Sequence, residues 1–140
     1  MTDPPYFSRQ KSPTPEPPTP LPLKSYRELR VWQRGVALAS ECSAVADNLP
    51  DRERFALASQ MRRAALSIPT NIAEGYGRNG RAEYVHHVGI ARGSLYELET
   101  LIEIAHLRGY LKPDVLASLA RQTHEVAAML TRLRLRLKPP

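Results

Sequence analysis

A single cysteine, Cys42, occurs in 140 residues. An intrachain disulfide is therefore excluded, and a lone thiol suits a reducing compartment. No apolar run approaches the roughly 20 residues needed to span a bilayer, and the N-terminus lacks the apolar stretch of a signal peptide. A cytoplasmic location with no membrane contact is expected. Alternation with period two is nowhere long enough to compete as a strand. Phosphate-binding glycine loops and nucleophile elbows are missing too. His124 and Cys42 have no partner at a telling spacing, and a cysteine on an apolar helix face reads as core.

Metal chemistry has one candidate spacing. Glu83-x-x-His86 and Glu103-x-x-His106 match the pairs used by di-iron bundles. Both fall on one helical segment, twenty residues and about 30 Å apart, so one subunit cannot join them around one metal. The inward-facing glutamates such a site needs on other helices are absent from their apolar stripes. No catalytic, metal-ligating or cofactor-binding residue is assigned, and no cofactor is expected.

What is present begins with proline. Residues 1–25 hold eight of the thirteen prolines, as in Pro13-Thr-Pro15-Glu-Pro17-Pro18-Thr-Pro20-Leu-Pro22. Each proline fixes φ and removes a backbone donor, so this segment reads as a disordered, polyproline-II-like tail. Its use as a docking peptide is the alternative to a plain tail.

Beyond Ser25 helical periodicity takes over. Leu29, Trp32, Val36, Ala39 and Ala46, with Val31, Leu38, Cys42 and Val45 beside them, make a wide apolar face on a first helix over about 28–47. Leu49-Pro50-Asp51 opens a second helix over 51–74, with Phe55, Ala58, Met61, Ala65, Ile68 and Ile72 on one side. Pro69 predicts a kink near 65–69 rather than a stop, and Glu74-Gly75-Tyr76-Gly77 supplies glycine for a C-terminus. A third helix over 81–108 starts after Gly80, and Tyr84, Val88, Ala91, Leu95, Leu98, Ile102 and Ala105 repeat a strict 4,3 spacing. Gly109 closes it, and Pro113-Asp114 opens a fourth helix over 113–137. Its stripe is Leu116 or Val115, Leu119, Val126, Leu130, Leu133 and Leu137. Short loops between four such helices make residues 26–138 an all-α, up-down-up-down antiparallel four-helix bundle.

Three strings are more specific than periodicity requires. They are Leu29-Arg-Val31-Trp32-Gln33, Ser67-Ile-Pro69-Thr-Asn71-Ile-Ala-Glu74-Gly75, and Gly93-Ser94-Leu95-Tyr-Glu97-Leu98-Glu99. In that order they closely resemble the four-helix-bundle family of 23S rRNA-intervening-sequence proteins, over roughly residues 25–137. The resemblance implies a ring-like homopentamer. At greater distance it implies kinship with the basic pentameric accessory proteins of diversity-generating retroelements, which bind a reverse transcriptase and nucleic acid. Most members have no assigned activity. Gly80 stands where the family pattern has serine or threonine.

Two groups of residues are candidates for function. Gln60, Arg63, Ser67, Asn71 and Glu74 step by three and four down the second helix, and Arg92, Glu97 and Glu99 belong to the matching polar residues of the third. Mixed charge favours a structural role, with Arg63 and Asn71 pairing to Glu97 or Glu99 or to a neighbouring subunit; the alternative is a ligand-facing groove. Gly93 and Ser94 are expected to permit close helix approach. The second group carries positive charge. The chain is +6 with pI near 9.8, which fits either an acidic partner or plain solubility. Arg78 and Arg81 flank a glycine-rich turn, and Arg132, Arg134, Arg136 and Lys138 crowd the C-terminus; these are the candidate nucleic-acid contacts. The expected function is a non-catalytic homo-oligomeric scaffold or adaptor contacting RNA, DNA or a nucleic-acid enzyme. The alternative is a protein–protein interaction module with no nucleic-acid contact.

Overall fold

The computed structural model describes residues 25–139. Residues 1–24, and with them all of the expected proline-rich tail except Ser25, lie outside the described residues, as does Pro140. Among the described residues there are four α-helices and no strand: α1 (Arg30–Asp47), α2 (Leu57–Gly77), α3 (Arg81–Leu107) and α4 (Pro113–Leu137). Short 3₁₀ turns, Tyr26–Glu28 and Asp51–Glu53, precede the first two. Each helix packs on its sequence neighbour and α1 returns to α4, so the four close into an up-down-up-down ring.

The apolar stripes meet at its centre. Along α3, Val88, Ala91, Leu95, Leu98 and Ala105 are fully buried and Ile102 nearly so, while Tyr84, at the helix start, is half-buried. Leu38 and Cys42 of α1, Met61, Ile68 and Ile72 of α2, and Leu119, Val126 and Leu130 of α4 fill the space between. Thr123 takes one core position on α4, its hydroxyl donating to the Ala120 carbonyl. Gly109, at φ 77°, ends α3 in a Schellman motif: Tyr110 N–H bonds the Ala105 carbonyl and Gly109 N–H that of His106. Pro113 occupies the first turn of α4, where its missing donor costs nothing.

Helix two departs from the sequence reading at both ends. Pro50-Asp51 starts a 3₁₀ turn, not the α-helix, which begins six residues later at Leu57. A tertiary clamp accounts for this: the Tyr110 hydroxyl donates to Glu53 Oε2 at 2.8 Å and accepts from Arg52 at 3.2 Å. That clamp ties residues 51–53 to the loop after α3. Phe55 consequently lies outside the helix and is 87% exposed, and Leu57 instead opens the buried stripe. At the other end α2 runs to Gly77. Gly75 is a buried interior residue rather than a terminator, and Arg78 caps the helix with extended backbone.

Pro69 sits within an unbroken α2, with Ile68 and Ile72 fully buried as expected. Gly35 of α1 lies opposite, where a Cβ would meet Pro69 Cβ at 3.5 Å. Gly93, in contrast, faces open space and mediates no approach within the bundle. No helix among the described residues is long and apolar enough to cross a membrane.

Candidate functional site

The seam between α2 and α3 holds a ladder of hydrogen bonds. Asn71, one turn after Ser67, donates through Nδ2 to the Ser67 carbonyl at 2.8 Å and to Ser67 Oγ at 2.9 Å. A carbonyl only accepts, so the amide orientation is set and Asn71 Oδ1 faces outward to His87 Nδ1 at 3.1 Å. His87 must then carry its proton on Nδ1. Ser67 Oγ meets Ser94 Oγ at 2.7 Å. The Ser67 hydroxyl and the imidazole are thus separated by an amide that cannot relay a proton, and this arrangement supplies no general base to activate Ser67.

Outside the ladder, Gln60, Arg63, Ser67, Ser94 and Glu97 line a polar groove of about 320 Å³. The pairing of Arg63 or Asn71 with Glu97 or Glu99 does not form among the described residues. Asn71 is committed to Ser67 and His87, and Arg63, Glu97 and Glu99 point to solvent. Glu74 instead pairs with Arg78 at 2.7 Å, one turn on, and that hydrogen bond holds its carboxyl below the usual carboxylate range. Arg92 is half-buried, stacks on Tyr96 with its guanidinium 5.4 Å from the ring centre, and leaves a buried Nε without a partner.

Both helices also expose apolar side chains on their solvent sides. Leu66 of α2 and Ile90, Tyr96, Ile104 and Leu107 of α3 are all exposed, Leu107 by 77%. Gly89 and Gly93, one turn apart on the solvent side of α3, have nothing within 4 Å of where a Cβ would stand.

The six candidate cations do not make one patch. Arg78 is occupied by Glu74, while Arg81, at the first position of α3 beyond Gly80 at φ 103°, makes no ion pair among the described residues. On α4 the helical turn of 100° per residue puts Arg134 about 160° round from either neighbour. Arg132 and Arg136 face α1, where Arg30 joins them around a groove of about 510 Å³. Lys138 follows the helix as its cap residue. Across this seam Arg34 pairs with Glu125 at 3.0 Å, and Glu41 accepts from Ser118 and Gln122.

Two of these residues escaped the sequence reading. His87 had a signal: His87, Ser94 and Leu101 recur every seven residues beside the main seam of α3. Arg30 had none, since only the return of α4 alongside α1 brings residue 30 to residues 132 and 136. Cys42 is core as expected, and burial, with the Glu41 charge beside it, pushes its thiol up to about 12. Among the described residues no three His, Cys, Asp or Glu side chains are grouped to hold a metal ion.

An antiparallel α-helical bundle with an internal polar ladder, an apolar outer face and a separate basic groove is the class these observations define. The family of 23S rRNA-intervening sequence proteins matches residues 27–132, and the chain belongs to that family. The match ends at Arg132, so Arg134, Arg136 and Lys138 lie beyond it. Among solved structures, a protein of unknown function from the S23 ribosomal protein family of Bacteroides thetaiotaomicron shares the fold. Its TM-score is 0.70 at 21% identity, covering 74% of this chain and 97% of that one. No curated protein matches the chain.

Proposed function

We propose that this chain is a non-catalytic cytoplasmic scaffold that assembles with copies of itself through the solvent side of α3. The copy number, five, follows from the family resemblance. One observation carries the reading: Gly89 and Gly93 sit in the interior of a 27-residue helix with open space around them, on the side of α3 that also exposes Ile90, Tyr96 and Ile104. Each interior glycine costs a helix about 0.8–1.0 kcal/mol relative to alanine, and nothing inside the subunit uses the room. A second copy approaching closely would use it, burying the apolar side chains at the same time.

Native mass by light scattering tests this. A pentamer has five times 15.7 kDa, about 78 kDa. Ile90→Glu should lower the mass towards one chain while leaving helicity intact, and a single-chain mass for the unaltered protein would overturn the reading.

The assembled scaffold contacts nucleic acid or a nucleic-acid enzyme through basic side chains outside the α1–α4 groove, Arg81, Arg134 and Lys138, each displayed once per copy. Affinity for added RNA or DNA should then fall steeply with salt, and copurified nucleic acid should leave in a high-salt wash, lowering the 260 to 280 nm absorbance ratio. The engagement of Arg78 by Glu74 and the placement of half-buried Arg134 on a different side of α4 from Arg132 and Arg136 favour a second reading, a protein–protein module whose charge serves solubility. A protein-like absorbance ratio at low salt, with no binding of added RNA or DNA, would select it.

A further inference from the structure

The groove between α1 and α4 is built differently from a polyanion surface. Its floor is apolar: Val31 and Leu133 are buried there, and Leu29 and Met129 are half-buried beside them. Its rim carries Arg30, Arg132 and Arg136, none of which makes an ion pair among the described residues. Glu28 and Glu125 stand on the same rim, and Arg34 already holds Glu125.

We infer that this groove docks an acidic amphipathic protein segment, one that presents carboxylates next to a bulky apolar side chain. Charge complementarity supplies the first half of the argument. Four guanidinium groups, Arg34 included, surround two carboxylates, so the groove attracts anions overall. Arg132 and Arg136 are one helical turn apart, about 6 Å, which suits carboxylates spaced by one turn on a partner helix.

The floor supplies the second half. A phosphate backbone would leave Leu29, Val31, Met129 and Leu133 without apolar company and would bring regular negative charge against Glu28 and Glu125. A peptide can place each carboxylate at an arginine and keep it clear of the glutamates, with a leucine-sized side chain seated on the floor. About 510 Å³ is room for such a side chain and its neighbours. Met129 and the arginines are also residue types that concentrate at protein interfaces, methionine because it adapts to the side chain it meets.

The inference does not rest on self-assembly, because the groove is complete within one subunit. Fluorescence anisotropy with the full chain tests it. One labelled probe is a helical peptide with leucine and glutamate on one face; the others are a leucine-free glutamate peptide of equal charge and a uridine oligonucleotide. The amphipathic peptide should bind best, weakening roughly tenfold or more in R132Q/R136Q and several-fold in M129A. Circular dichroism of both variants should match the parent, so that lost binding is not lost folding. Equal binding of the leucine-free peptide or the oligonucleotide, indifferent to M129A, would overturn the inference in favour of a plain polyanion surface. Binding of the amphipathic peptide that survives both variants would overturn it by placing the site elsewhere. A fall in native mass in R132Q/R136Q would overturn it too, by showing that a second copy occupies the groove.

Discussion

Gly35 and Gly75 are both buried glycines within helices, yet replacing each by alanine should move stability in opposite directions. At Gly75 an added Cβ would lie 2.7 Å from His87 Cβ, 3.2 Å from Tyr84 Cδ1 and 3.4 Å from the Tyr84 carbonyl oxygen. Carbon atoms prefer 3.5–4.0 Å, so about an ångström must be found. His87 cannot supply it cheaply. The clashing atom is rooted on the α3 backbone, and the ring beyond it is tied to Asn71. The helices must part or the ladder must yield, which costs about 1–3 kcal/mol. Alanine's propensity advantage, at most about 1 kcal/mol, is diminished two residues from the end of α2. A net loss of about 1–2 kcal/mol is expected for Gly75→Ala. At Gly35 the nearest atoms stand at 3.5, 3.6 and 3.7 Å, which is ordinary contact. There the propensity gain and one buried methyl, about 0.8 kcal/mol, add to a net gain of about 1–2 kcal/mol. Urea unfolding followed by circular dichroism, at one chain concentration because assembly ties stability to concentration, would measure both. Finding Gly75→Ala as stable as Gly35→Ala would refute the close approach of α2 to α3.

Replacing Asn71 by leucine should destabilise the fold by about 1–3 kcal/mol, since the buried His87 Nδ1–H loses its acceptor. Ser67→Ala and Ser94→Ala should each cost more than half of their combined loss, so a double-mutant cycle returns a coupling of roughly 0.5–1.5 kcal/mol; a coupling near zero would deny their 2.7 Å contact. Cys42 should resist alkylation at pH 8 in the folded chain and react only as it unfolds, because its thiol is held up to about 12. The unfolded thiol ionises first, so Cys42 lends stability below pH 9 that is lost between pH 9 and 12 at up to about 1.4 kcal/mol per pH unit; Cys42→Ala should flatten that part of the profile. Tyr110→Phe removes the hydroxyl that joins Glu53 and Arg52, and amide exchange should quicken over residues 51–56 ahead of the rest of the bundle.

Periodicity made the helices legible because the quantity it reports, which face is apolar, is what packing uses. The 4,3 seam of α3 and the stripe of α4 needed no tertiary information, and Pro113, Gly80 and Gly109 mark termini through local backbone rules alone. Errors arose where one residue type has both a local and a tertiary use. Gly75 reads as a helix terminator because glycine tolerates left-handed backbone, whereas its true constraint is the His87 side chain twelve residues away. Gly93 reads as a packing glycine, yet inside the subunit it packs against nothing. Phe55 has the right phase for the core but lies before the helix starts, because a tyrosine from a distant loop holds residues 51–53 in a tighter turn. The same limit governs the sites. A polar stripe at steps of three and four was visible on α2, but the identity of its partners depended on the register between α2 and α3. That register delivers His87 and Ser94 in place of Glu97 and Glu99.

Topology also separates the two proposed surfaces. In a ring of four helices, α3 stands diagonally across from α1, and its solvent side points away from α1. Assembly through that side would leave the α1–α4 groove clear of the contact on every copy, so each groove would remain open to its own peptide. The two surfaces differ in chemistry in the way this division requires. The solvent side of α3 offers apolar side chains and bare glycine backbone, which suit a permanent, closely packed contact, whereas the α1–α4 groove offers arginines over a small apolar floor, which suits a partner that comes and goes. Substitutions should therefore act independently: Ile90→Glu should change mass and leave the affinity of a single peptide site unaltered, and R132Q/R136Q should do the reverse. Because multiple grooves on one particle raise avidity for a tethered array of peptides, Ile90→Glu should weaken binding only when the probe is multivalent. A loss of affinity for the monovalent peptide in Ile90→Glu would show that the two surfaces communicate, contrary to their separate placement in the ring.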